Sequence, residues 1–241
     1  MVRAAGFEEV ELSWLRVDQE FQDEHKRRDG VVSMLQEHGL LVGEFRGIDL
    51  AAVGEDQLAE TVGAVQEQMT LAKEIGISSI TLRAGDRRRQ DMGLLDKIIR
   101  SALAQAERLD MQVHLVNAYR SRIEQVLDWQ YLIESLGSDC LRVALDLGEL
   151  HRSGGNVQET IVALMPKLAM VRVCDRVGAH RVSIGKGEIN LPAALECLCQ
   201  ERYAGPFVVE PCAETDDLEA TLTSTRIYLA HALMLLRQGR I

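Results

Sequence analysis

The chain has 241 residues, 46% hydrophobic and 27% charged, enough to bury one sizeable core as a single domain spanning 1–241. No run of about 18 apolar residues marks a membrane span, and no apolar stretch near Met1 marks a secretion signal, so neither membrane association nor export is expected. A formal net charge of −10 argues against general nucleic-acid binding, which needs a basic face.

The chain opens on Val2-Arg3-Ala4-Ala5-Gly6, which reads as the end of a helix. Seven short apolar or β-branched runs follow: Val10 to Leu12, Leu40 to Phe45, Ser79 to Leu82, Val113 to Val116, Leu141 to Leu145, Met170 to Cys174 and Phe207 to Val209. Each precedes a polar loop and a helix-like stretch, and their starts lie roughly 30 to 40 residues apart, the length of one strand, crossover and helix. Between the second and third runs Leu58, Val62, Val65, Met69, Ala72 and Ile75 recur every three or four positions, the pattern of an amphipathic helix covering a sheet. Gly6, Gly39, Gly76 and Gly205 stand where helices are expected to end before a strand.

Alternation of this kind specifies a parallel sheet, either a closed barrel or an open doubly wound sheet. No Gly-x-Gly-x-x-Gly follows the first strand, and Gly185-Lys186-Gly187 comes only after the sixth. A nucleotide cofactor is therefore not expected, and an α/β fold of the parallel TIM type is preferred. Such barrels need eight strands. With seven recognisable, the first strand and most of its helix are expected to be missing. A barrel short of one strand leaves two sheet edges, which a homo-oligomer or a partner subunit would cover.

The five cysteines, Cys140, Cys174, Cys197, Cys199 and Cys212, are odd in number and scattered, which argues against a disulfide framework and for a reducing, cytoplasmic location. Cys197 and Cys199 are two apart in a helix-like stretch and point in different directions, so they do not read as a metal pair.

In parallel barrels the chemistry sits at the C-terminal strand ends. Eleven of the 27 basic residues fall in four loops at those ends: Arg83 with Arg87 to Arg89, then Arg120 and Arg122, Arg152, and Arg172, Arg176, Arg181 and Lys186. In an acidic protein this focuses charge toward an anion. The run Arg87 to Arg89 also fits a solvated surface. Arg172 stands alone inside an apolar strand and needs a partner there, Asp146 or Glu210. Those two carboxylates each end an apolar run, and a pair at a barrel mouth suits metal binding, proton transfer or a structural ion pair. His151 lies in a glycine-rich loop and reads as surface; His114, within a strand, reads as a hydrogen-bonded interior residue.

Ala5-Gly6-Phe7-Glu8-Glu9-Val10-Glu11-Leu12, Ala72-Lys73-Glu74-Ile75-Gly76-Ile77, Leu145-Asp146-Leu147-Gly148, Val171-Arg172-Val173-Cys174-Asp175, Ile184-Gly185-Lys186-Gly187-Glu188-Ile189 and Tyr203-Ala204-Gly205-Pro206-Phe207-Val208-Val209-Glu210 occur in this order. In that order and spacing they resemble the xylose isomerase-like superfamily of sugar isomerases, epimerases, inosose dehydratases and related endonucleases, over nearly the whole chain. The resemblance implies one divalent cation (Mg, Mn or Zn) held by a glutamate, an aspartate, a histidine and a second glutamate. The aspartate maps to Asp146 and the last glutamate to Glu210. The first glutamate falls at Val116, the histidine at Arg172, and a further family histidine at Glu149. Valine cannot hold a cation and arginine repels one, so Asp146 and Glu210, with Glu149 or His114 as substitute ligands, would hold a metal weakly.

The resemblance further implies proton transfer next to a carbonyl, on a small polyhydroxylated or anionic substrate such as a sugar, sugar phosphate or keto acid. Glu210 or Asp146 would be the base, with Arg172 in the metal's place beside the enolate oxygen. Glu11, Trp14, His114, Asn117, Arg83, Arg181 and Lys186 are the expected substrate-binding residues. The alternative is a non-catalytic barrel subunit that binds a small anion or a partner chain. The endonuclease branch, which needs several metal ions and a basic groove, fits least.

Overall fold

The protein is described by a computed structural model covering residues 1–51, 54–89, 91–211 and 217–237, the side chains of Glu24 and His25 excepted. Cys212 lies outside the described residues. The chain folds as two compact units, residues 8–143 and residues 1–7 with 144–241.

The first unit alternates strand and helix: β1 (Glu9–Ser13), α1 (Trp14–Glu20), α2 (Glu24–His38), β2 (Leu41–Leu50), α3 (Glu55–Glu74), β3 (Ser79–Ala84), α4 (Met92–Leu109), β4 (Gln112–Val116) and α5 (Val126–Leu136). β1 to β4 pair in chain order, each with the next and all parallel. α4 shows why the sequence folds this way. Asp91 caps it by accepting the Leu94 N–H at 3.0 Å, and Leu94, Leu95, Ile98, Ile99, Ala102 and Ala106 form one buried stripe. The sheet face formed by Phe45, Ile80, Leu82, Val113 and Leu115 is fully buried.

The opposite face of these strands is also buried, but polar. Glu44 on β2 accepts from Ser79 Oγ at 2.7 Å and Thr81 Oγ1 at 3.1 Å, and its Oε2 lies 3.2 Å from His114 Nδ1. His114 is thus the interior, hydrogen-bonding residue that its position in a strand implies. The Glu44 carboxylate satisfies the two buried hydroxyls of β3, and the His114 ring bonds through Nε2 to Gln112 Oε1 at 3.3 Å.

β5 (Leu141–Asp146) runs from the first unit into the second. The second unit continues with α6 (Leu147–Arg152), α7 (Val157–Leu164), a single 3-10 turn at Met165–Lys167, β6 (Leu168–Val173), β7 (Asp175–Val177), β8 (His180–Val182), α8 (Leu191–Gln200), β9 (Phe207–Val209) and α9 (Leu218–Arg237). The strand order is β5, β6, β9, with β6 and β9 parallel; β7 and β8 form a separate antiparallel hairpin. Residues Val2 to Gly6 make one turn whose Ala5 carbonyl accepts from Arg226 of α9 at 2.9 Å.

All seven expected strands are present. β2 runs on past Phe45 to Leu50, because a shift of register between Arg46 and Asp49 interrupts the alternation that marks a strand in sequence. The β7–β8 hairpin was expected as loop: its strands are three residues long and read Asp-Arg-Val and His-Arg-Val. Gly39 and Gly76 end helices with positive φ as expected. Gly205 does not, for α8 turns at Arg202, whose φ is 58°. Gly205 is needed for another reason: a Cβ there would lie 2.5 Å from the Ala169 carbonyl oxygen on β6. Cys197 and Cys199 lie in α8 as free thiols. Among the described residues no helix is long and apolar enough to cross a membrane.

Candidate functional site

The second unit brings four of the expected residues together. Asp146 is the last residue of β5 and the N-cap of α6, where its Oδ1 accepts the Glu149 N–H at 2.8 Å. Glu210 follows β9, its N–H held by the Val173 carbonyl at 3.0 Å. Arg172, on β6, is 2% exposed. Its Nε donates to Glu210 Oε1 at 3.2 Å and lies 3.9 Å from Asp146 Oδ2, while its Nη2 also bonds Glu210 Oε1. The partner required by a charge inside an apolar strand is therefore chiefly Glu210. From the β7–β8 hairpin Arg181 pairs with Glu210 Oε2 and remains 38% exposed.

Around this group a further arginine is locked in place. Arg176 Nη1 donates to Glu149 Oε1 at 3.1 Å and its Nη2 to the Ala179 carbonyl at 2.6 Å. The loop carrying Lys186 is built on Asp175, whose buried carboxylate accepts from the N–H groups of Arg176, Gly185 and Gly187, each at 2.9 Å. The Gly185-Lys186-Gly187 backbone thus grips the protein's own aspartate and positions an exposed Lys186.

Burial pushes the Asp146 carboxyl up to about 7, helped by the negative charge of Glu210; the Glu149 N–H and the Arg172 guanidinium pull the other way. Burial likewise pushes the neighbouring Cys174 thiol up to about 12, so it stays protonated and is a poor nucleophile. The unfolded Asp146 titrates near 3.8, so between that value and about 7 the folded protein holds the extra proton. Stability owed to the neutral carboxyl is full below the lower value and is lost as pH rises to the upper one. The unfolding temperature of the wild type should therefore fall from about pH 4 to about pH 7 more steeply than that of Asp146→Asn.

The expected residues of the first unit have neighbours of their own. Glu11 faces Arg46 at 3.5 Å, and Arg83 is bound by the Asp49 carboxylate. The Trp14 ring sits 4.7 Å under the Arg27 guanidinium. His114 is held by Glu44, and Asn117 is buried just beyond β4. The basic loops are also less bare than the sequence implies. Arg83, Arg87, Arg152, Arg172, Arg176 and Arg181 each face a carboxylate. The interior cluster at Glu44 was not expected, although the signal that marks Arg172 marks it too: one charge inside an apolar run.

Among the described residues no three histidine, cysteine, aspartate or glutamate side chains gather in a way that could hold a metal ion. The donors proposed from sequence do not fit one. Glu149 turns to Arg176, Glu210 Oε1 and Asp146 Oδ1 accept from protein N–H groups, and Glu210 Oε2 faces the Arg181 guanidinium. The cation beside Asp146 and Glu210 is a guanidinium.

The family model of the xylose isomerase-like TIM barrel matches residues 1–231. The chain belongs to this family. It is 24% identical to the L-ribulose-5-phosphate 3-epimerase of Escherichia coli over 247 residues, covering 94% of this chain and 85% of that one. Its fold matches the crystal structure of the Escherichia coli 3-keto-D-glucoside 4-epimerase with a TM-score of 0.80 at 16% identity, covering 95% and 91% of the two chains. It also matches a xylose isomerase-like TIM barrel protein of Mycobacterium smegmatis in complex with magnesium, with a TM-score of 0.78 at 16% identity over 98% and 86%. Within this xylose isomerase-like barrel, the Asp146, Arg172, Glu210 and Arg181 group joins three strands, β5, β6 and β9, to a hairpin.

Proposed function

We propose that this protein is a sugar isomerase or epimerase that moves a proton at a carbon next to a carbonyl group. The observation that carries the reading is the pair of carboxylates, buried Asp146 and half-buried Glu210, with the Arg172 guanidinium reaching both. Epimerisation removes a proton from one face of a carbon and returns one to the other, which calls for two proton-handling groups at fixed positions. A carboxyl held at about 7, as Asp146 is, takes and gives protons readily at neutral pH. The names of the relatives, L-ribulose-5-phosphate 3-epimerase and 3-keto-D-glucoside 4-epimerase, support substrates that are small and polyhydroxylated. The half-exposed Arg181 and the exposed Lys186 suit an anionic group such as a phosphate or carboxylate.

The test is a panel of ketoses, ketose phosphates and keto acids incubated with the protein in D2O and followed by proton NMR. One class of substrate should lose the C–H signal next to its carbonyl. If none exchanges above the protein-free rate, the reading is wrong. A second reading, a non-catalytic barrel that binds a small anion, is favoured by the engagement of both Glu210 oxygens with arginines. It predicts that members of the same panel raise the unfolding temperature without exchanging.

A further inference from the structure

We infer that the Arg172 guanidinium is a built-in cation that takes the place of a divalent metal in this site. The inference rests on the proton-transfer reading above and adds that the transfer runs without a metal. Arg172 projects from β6, where it is 2% exposed and cannot turn out to solvent without giving up its bonds to Glu210. Its Nε lies within 3.2 Å of Glu210 Oε1 and 3.9 Å of Asp146 Oδ2, so it stands where a cation bridging the two carboxylates would have to stand. Guanidinium is charged at every working pH and has no lone pair to offer a metal. A hard divalent cation takes six or more oxygen ligands. Here it would have to win Glu210 from Arg172 and Arg181, and Asp146 Oδ1 from the first turn of α6, beside a fixed positive charge.

The chemistry balances without a metal. A carboxylate takes the proton as the C–H bond breaks, and the electron pair moves into the new C–C double bond. The carbonyl oxygen becomes an enolate oxygen, beside which a fixed guanidinium supplies one positive charge and N–H donors. Return of a proton to the carbon from the other face restores the carbonyl. No electrons are gained or lost.

The test is elemental analysis of the protein purified without added metal or chelator, with thermal unfolding in Mn2+, Mg2+ or EDTA. The wild type should carry far less than one divalent cation per chain, and its unfolding temperature should not change with any of the three. Arg172→His replaces the cation with a ligand between two carboxylates, and its unfolding temperature should rise with Mn2+ and fall back with EDTA. One divalent cation per wild-type chain, removed by EDTA with loss of thermal stability and absent from Asp146→Asn, overturns the inference. Deuterium exchange reports separately on the proposed function. Exchange by a metal-bearing protein overturns only the role of Arg172, and a metal-free protein that exchanges nothing overturns only the proton-transfer reading.

Discussion

Replacing Asp146 with asparagine should slow deuterium exchange into the substrate by about 100- to 10,000-fold, the usual contribution of a positioned acid or base. Asparagine keeps the shape of the side chain, and its oxygen can still accept the Glu149 N–H that Asp146 holds at 2.8 Å, so α6 keeps its cap. What it loses is the ability to take a proton. The amide also has no charge to bury, whereas the carboxyl of the folded wild type ionises only above about 7. Above that pH the variant should be at least as stable as the wild type while exchanging far more slowly. A parallel loss of stability and exchange would assign Asp146 a structural role instead.

Arg172→Met should destabilise the protein by roughly 1–3 kcal/mol, the cost of taking one of its partners from a largely desolvated carboxylate. The residue left behind is Glu210, whose side chain is 12% exposed and which keeps only Arg181 of its two guanidiniums. The effect comes from the abandoned carboxylate more than from the lost arginine. Removing both together in Arg172→Met with Glu210→Leu should therefore cost clearly less than the sum of the two single changes, because a buried ion pair and an apolar pair of similar volume are often equally stable. Urea unfolding of the four proteins measures this coupling. Additive losses would show that the Arg172 and Glu210 contact contributes nothing of its own.

The parts of the fold that the sequence reveals are those where one physical demand acts alone. Runs such as Val113 to Val116 and Leu141 to Leu145 lie in a parallel sheet buried on both faces, so they read as largely apolar stretches, each broken by one polar residue, His114 or Arg142. A single charge in such a run, Arg172, must find a counter-charge, and it does so at Glu210. Where two demands compete the signal is lost. Arg46, Gly47 and Asp49 continue β2 through a shift of register that hides its alternation, and the charges of the β7–β8 hairpin serve the site and the Asp175 loop rather than a core. The site was legible in its carboxylates and its arginine. The arginine pairings were not, because Arg83 meets Asp49, Arg87 meets Asp128 and Arg176 meets Glu149 through contacts between residues far apart in sequence.

In the proposed reaction Asp146 and Glu210 move a proton at a carbon next to a carbonyl. It is tested most directly by the pH dependence of deuterium exchange, with the active member of the ketose, ketose phosphate or keto acid panel, in wild type, Asp146→Asn and Glu210→Gln. Exchange by the wild type should rise with pH through about 7 as Asp146 ionises, that rise should vanish in Asp146→Asn, and both variants should be slow. Wild-type rates in both variants, with the rise intact, would show that neither carboxylate moves the proton.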